Sequence, residues 1–341
     1  MRKTLLALLF LAAGGAVQAD VQLREGHPDR YVVVKGDTLW DISGKFLRQP
    51  WKWPQIWHAN PQIENPHLIY PGDVLSLVYV DGQPRLMLSR GESRGTIKLS
   101  PTVRRTPMAE AIPTIPLEAI NSFLLNNRIV DKVEDFEGRP YVVAGNAERV
   151  VSGAGDRVYA RGLLEPGVQV YGIFRQGRTY VDPDTQEFLG INADEIGSGE
   201  VVAEEGDIST LLLSRSTQEV RLGDRLFPTE ERAINSTFMP SEPSSEIQGL
   251  ILDVPRGVTQ IGQFDVVTIN KGKRDGLVEG NVLAVYKTGE TVRDRVTGDA
   301  VKIPDERAGL LMVFRTYDKL SYGLVLNATR QLAVLDKVRN P

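Results

Sequence analysis

Between Tyr31 and Val78 the apolar pattern changes period twice. Tyr31 to Val34 is a β-branched run of strand type, stopped by Lys35-Gly36-Asp37. Leu39, Ile42 and Phe46 then recur at helical spacing and predict one apolar helix face, opened by Thr38. Thr38 and Asp41 have capping-box spacing, although Asp is shorter than the usual Glu, and the acid sits where the helix dipole favours it. Pro54 begins a second short helix holding Ile56, Trp57 and Ala59, and Asn60-Pro61 ends it. Pro71-Gly72-Asp73 predicts a turn and Val74 to Val78 a returning strand, so the order is strand, helix, helix, strand.

The pattern then dissolves. Tyr79 to Pro116 is turn-rich, basic and proline-rich, and reads as a tether; a solvated spacer is favoured over a segment lying on a neighbouring surface. Pro116 to Arg128 predicts one helix with Leu117, Ile120, Phe123 and Leu124 on a face and Asn126-Asn127 near its end. The region 117–137 is therefore taken as a helix and its connection.

Beyond it, short runs of Val, Ile, Leu, Tyr and Phe alternate with Gly, Asp and Asn turns, which predicts strands. A constant offset of 112 positions pairs Asp182 with Asp294, Thr185 with Thr297, Gly197 with Gly309 and Asp224 with Asp336. Two copies are expected, over 138–228 and 247–341, joined by a Ser-, Pro- and Glu-rich linker at 229–246. Each has five or six strand-like segments, enough for a small barrel or sandwich. The shared glycines and aspartates read as turn residues in preference to a shared active site. The predicted fold class is α+β: a small βααβ unit followed by a mostly-β region of two repeated small barrels or sandwiches.

Composition adds limits on chemistry. The 341 residues, 41% of them hydrophobic, hold enough material for two or three domains. Arg2-Lys3, the apolar run Leu5 to Ala13 and the small residues Val17 and Ala19 read as a signal peptide over 1–19, leaving a short segment at 20–30 before the first strand. No cysteine follows, so there is no lipoprotein anchor, disulfide or thiol nucleophile. The net charge of −4 gives no support to nucleic-acid binding.

All four tryptophans and all three histidines lie in or just before 31–78, and no His follows His67. A zinc peptidase or a Ser-His-Asp triad thus has no histidine in the β-rich region. A glycosidase needs only two carboxylates, but Asp194-Glu195 and Glu204-Glu205 read as solvated groups in charge-rich turns. No catalytic residue, metal site or cofactor is expected. Trp51 and Trp53 read as packing residues in preference to sugar platforms.

The residues Tyr31-x-Val33, Gly36-Asp37-Thr38-Leu39, Ile42, Ile56, Asn60-Pro61, Ile63, Pro66, Ile69 and Pro71-Gly72-Asp73-x-Leu75 resemble the pattern of a LysM domain. The resemblance implies a βααβ fold that binds N-acetylglucosamine-containing glycans, in a bacterium peptidoglycan. It places the glycan between Gly36, Asp37, Thr38 and Leu39 on one side and Ile63, Asn65, Pro66, His67, Leu68 and Ile69 on the other. Leu47 to Pro54 is a longer and more aromatic helix connection than the plain motif needs.

The whole layout resembles the secretin-associated LysM proteins of type IV pilus machines, the TsaP family, and segments such as 271–289 resemble flagellar T-ring repeats. This implies a non-enzymatic periplasmic protein that anchors an outer-membrane secretin to peptidoglycan and self-associates in a ring. The alternatives are an accessory protein of a flagellar ring or another envelope complex, and a LysM-tethered peptidoglycan hydrolase.

Overall fold

The computed structural model describes residues 21–57, 69–80, 82–89, 112–116, 119–120, 127–145, 151–229, 238–255 and 260–341. The expected signal peptide, the end of the second helix at 59–61 and most of the expected 116–128 helix lie outside them.

The first unit comprises β1 (Arg30–Val32), α1 (Leu39–Phe46), a 3₁₀ turn (Pro50–Lys52), α2 (Trp53–Trp57), β2 (Val74–Val80) and β3 (Gln83–Ser89). β1 runs antiparallel to β2 with Tyr31 opposite Leu75. The helices cover the sheet, burying Val33, Leu39, Ile42, Phe46, Trp53, Ile56 and Leu75 in one core. Trp53 and Trp57 meet edge to face at 6.3 Å.

The β3 strand corrects the sequence reading, which took Tyr79 to Pro116 as a turn-rich tether. Gly82 adopts φ +76 and reverses the chain, and Leu77 faces Leu86 across the resulting hairpin. Leu86 and Leu88 then pack into the same core, and this burial fixes the strand.

The remaining chain is mostly β. It continues with β4 (Asn127–Val130), α3 (Val133–Glu137), β5 (Tyr141–Gly145), β6 (Val151–Ser152), β7 (Arg157–Arg161), β8 (Val170–Val181), β9 (Phe188–Glu205), β10 (Ile208–Ser216), β11 (Val220–Arg221) and β12 (Arg225–Pro228). The order is β10-β7-β5-β12-β8-β9-β4, and β10 also pairs with β9, so six strands close a circuit around Val158, Ile173, Ile196 and Leu211. Asn127 and Arg128, expected at a helix end, instead pair with β9 opposite Asp194 and Ala193. The edge of that sheet offers Asn127 a strand partner, and the tertiary contact overrides the local Asn signal.

The last unit has β13 (Gln248–Asp253), β14 (Val266–Ile269), β15 (Val282–Lys287), β16 (Thr291–Arg293), β17 (Ala300–Lys302), β18 (Glu306–Thr316), β19 (Ser321–Ala328) and β20 (Lys337–Arg339). Six of them form a closed barrel, β13-β14-β19-β18-β15-β20, while β16 and β17 make a separate hairpin.

Several hydrogen bonds recur at the 112-residue offset. Thr217 and Thr329 each donate a hydroxyl at 3.0 Å, to the carbonyls of Ile196 and Ala308. Asp224 and Asp336 each accept at 2.8 Å from the amide three residues earlier, of Arg221 and Ala333.

The strand β18 explains how the units meet. Leu311 and Val313 point into the barrel core, while Leu310, Met312 and Phe314 point outward yet are also buried. Their outer cover includes Trp40 and Trp51 of the first unit, together with Ile115, Tyr180 and Leu189. Arg307 lies 5.7 Å over the Trp51 ring, and the Trp51 indole donates to Glu242 at 3.1 Å.

The hairpin of β8 and β9 grips the same barrel. Asn270 donates to Asp182 at 2.8 Å, and Arg274 donates to both oxygens of Glu187 at 2.6 and 2.8 Å. Lys319 pairs with Glu187 at 2.8 Å. Arg178 and Tyr180 both donate to Asp253.

Candidate functional site

Two matching turns form the described part of the expected groove. In Val34-Lys35-Gly36-Asp37 the Asp37 amide donates to the Val34 carbonyl at 3.2 Å, and the Asp37 carboxylate accepts the Val34 amide at 2.9 Å. In Tyr70-Pro71-Gly72-Asp73 the corresponding distances are both 3.0 Å. Gly36 and Gly72 both take φ +97, the left-handed backbone that a side chain would strain. Val33 and Asp73 tie the turns together: the Val33 amide donates to the Asp73 carbonyl and the Gly72 amide to the Val33 carbonyl, each at 2.8 Å.

Tyr31 adds a side-chain brace by donating to Asp37 at 2.9 Å. Burial first, and then the Asp37 carboxylate, push the Tyr31 hydroxyl up to about 12, so it remains a donor at every physiological pH.

Thr38 caps α1. Its hydroxyl accepts the Asp41 amide at 3.1 Å and donates to the Asp41 carboxylate at 2.7 Å. The short Asp side chain thus holds the capping hydroxyl itself, where a Glu in a full capping box reaches the cap's backbone amide. The Leu39 and Trp40 amides remain as first-turn donors beyond the reach of this cap.

Those two donors are taken by residues from the expected tether. The Leu39 amide donates to the Pro113 carbonyl at 3.0 Å and the Trp40 amide to the Thr114 carbonyl at 3.1 Å. On the opposite wall the Ile112 amide donates to the Ile69 carbonyl at 2.8 Å. Ile112, Thr114 and Ile115 are buried. Residues 112–116 therefore lie against the unit as a strap, which corrects the preference for a solvated spacer at this point of the chain. Two isoleucines, each followed by proline, within a polar stretch were the available signal.

Of the expected glycan-binding residues, the structure brings Gly36, Asp37, Thr38, Leu39 and Ile69 together. Gly36 is exposed and Asp37 half-buried, while Thr38, Leu39 and Ile69 are buried. Ile63, Asn65, Pro66, His67 and Leu68 lie outside the described residues. A cleft of about 860 Å³ runs alongside α1 and shares Asp37 with the groove; Asp41 and Lys45 line one wall, Arg307, Asn327 and Thr329 the other.

Trp51 and Trp53 are only 2% and 1% exposed, so both are packing residues. Trp53 belongs to the core of the first unit and Trp51 to the seam with the barrel.

The carboxylates weighed as hydrolytic candidates need a correction. Asp194 and Glu195 are not in a turn but within β9. Burial pushes the Asp194 carboxyl up, against a hydrogen bond from Asn192. The Glu195 side chain is 8% exposed and forms an ion pair with Arg215. Glu195 thus ties β9 to β10, while Asp194 is held by Asn192 two residues away on the same strand.

Among known proteins, the uncharacterized protein YqbP of Bacillus subtilis strain 168 is 42% identical over 60 residues. That match covers 15% of this chain and 27% of the relative, so it speaks for a module and not for the whole protein. No helix among the described residues is long and apolar enough to cross a membrane. Residues 31–78 match the LysM domain family, whose domains bind N-acetylglucosamine-containing glycans such as peptidoglycan.

Proposed function

We propose that the protein is a non-enzymatic peptidoglycan-binding anchor that ties an outer-membrane secretin of the type IV pilus system to the cell wall. The observation that carries the reading is a LysM unit seated on a β-barrel through Trp40 and Trp51. Such a seam holds a wall-bound module in a fixed orientation on the barrel, which a flexible tether would not. In this account residues 1–19 are a signal peptide, the mature chain is periplasmic, and the β-rich body of two copies at 138–228 and 247–341 contacts the secretin.

A single shallow glycan groove has a dissociation constant of roughly 1 mM to 1 μM, or about 4 to 8 kcal/mol. A load-bearing anchor therefore needs several copies held together, because each later contact becomes intramolecular.

In this account the β16–β17 hairpin mediates that self-association. The tips of the β8–β9 and β16–β17 hairpins repeat one hydrogen-bond pattern: the Glu187 and Asp299 amides donate to Thr185 and Thr297, both at 3.3 Å. The first hairpin buries Tyr180 and Leu189 against the barrel. At the 112-residue offset the second hairpin carries Val292 and Val301, which are 39% and 43% exposed. Its occupant is the first barrel of a second copy, an arrangement that propagates head to tail and closes into a ring when the rotation allows.

The test is crosslinked capture from cell envelopes with the full mature chain, followed by identification of the captured proteins. Capture of a secretin supports the assignment; capture of flagellar ring components, or of neither, overturns it and leaves a wall-binding protein with another partner.

A further inference from the structure

We infer that residues 112–116, Ile-Pro-Thr-Ile-Pro, occupy the LysM glycan groove from within the chain, and that glycan binding displaces them. The inference rests on the reading that the glycan lies between the Gly36–Leu39 turn and the segment ending at Ile69. It concerns what fills that groove beforehand.

The strap uses the backbone groups a glycan needs. An N-acetyl group presents one carbonyl acceptor and one amide donor. Pro113 and Thr114 present carbonyls to the Leu39 and Trp40 amides at 3.0 and 3.1 Å, and Ile112 presents an amide to the Ile69 carbonyl at 2.8 Å. While these three bonds stand, the first-turn amides of α1 and the Ile69 carbonyl are filled on the groove side.

The sequence suits an extended plug. Pro113 and Pro116 have no backbone amide, and each biases the isoleucine before it toward extended backbone. The strap therefore has a fixed shape without a competing helix. Ile112 anchors in the LysM core and Ile115 in the seam with Trp40, Trp51 and the outer face of β18. Release of the strap consequently removes a residue from the seam, so glycan capture is coupled to how firmly the LysM unit sits on the barrel.

The test compares the full mature chain with its I112S/I115S variant, using the tetramer of N-acetylglucosamine as probe and circular dichroism to verify folding. The variant is expected to bind at least tenfold more tightly. Equal affinity in two folded proteins overturns the inference while the glycan-binding reading stands, and absence of binding by both overturns that reading itself. Hydrogen exchange on the unmodified chain gives a readout independent of the variant. Saturating tetramer is expected to expose the Ile112 amide to exchange while Leu39 and Trp40 stay slow; continued protection of Ile112 at saturation contradicts displacement.

Discussion

Trp51 donates its indole N–H to Glu242 across 3.1 Å, a contact spanning 191 positions of sequence that fixes the LysM unit to the body. The ring is 2% exposed, and Lys52 adds an ion pair to the same carboxylate at 3.6 Å. Replacement of Trp51 by Ala is expected to destabilise the seam by about 3–5 kcal/mol, the usual cost of emptying a buried aromatic site. Urea unfolding followed by circular dichroism measures it; unchanged stability would contradict the role of Trp51 in holding the seam.

The Thr38 hydroxyl is the only described side-chain cap of α1. Thr38→Ala is expected to cost about 1 kcal/mol, and Thr38→Ser much less, because serine retains the hydroxyl. Tryptophan fluorescence reads this unit selectively, since all four tryptophans lie within it.

Glu187 gives the hairpin-to-barrel contact an acid limit. Hydrogen bonds from Arg274 and Lys319 hold its carboxyl down at about 2, against an ordinary value of 4.5. A depressed folded value stabilises fully above the ordinary value and is lost as pH falls toward the folded one. Stability is therefore expected to fall between about pH 4.5 and pH 2 as this group protonates. Glu187→Gln is expected to lower stability at neutral pH and to flatten that part of the acid limb in a series of urea titrations.

The second hairpin gives a sharper test of assembly than of folding. Val292 and Val301 face each other across β16 and β17 and are both exposed. Substituting both by Asp is expected to leave the melting temperature within a few degrees and to abolish self-association in sedimentation velocity. An unchanged oligomer distribution would remove this hairpin from the interface.

The sequence disclosed the LysM unit because its short-range signals agree. The turn glycines, the Thr38 cap and the spacing of Leu39, Ile42 and Phe46 all act within a few residues of one another. The β3 strand was less legible. Pro84, Leu86 and Leu88 do alternate, but a proline and flanking arginines obscured a strand that exists because β2 and the core receive it. Asp194 and Glu195 looked like solvated turn residues because charge is visible in a sequence, whereas a long strand pairing with β8 is not. The strap had a local signature in its Ile-Pro pairs, yet its place in the groove depends on contacts more than 40 residues away, from Ile112 to Ile69 and from Pro113 to Leu39. The wall opposite the Gly36–Leu39 turn, expected from Ile63 to Leu68, rests on the motif alone.

The most direct test of the account is co-sedimentation of the full mature chain with purified peptidoglycan sacculi, with soluble N-acetylglucosamine tetramer as competitor. The protein is expected to pellet with intact sacculi, to be released by the tetramer, and to pellet more strongly when the strap carries I112S/I115S. If the chain and its strap variant both stay in the supernatant while remaining folded, the LysM unit is not a wall anchor and the central claim fails.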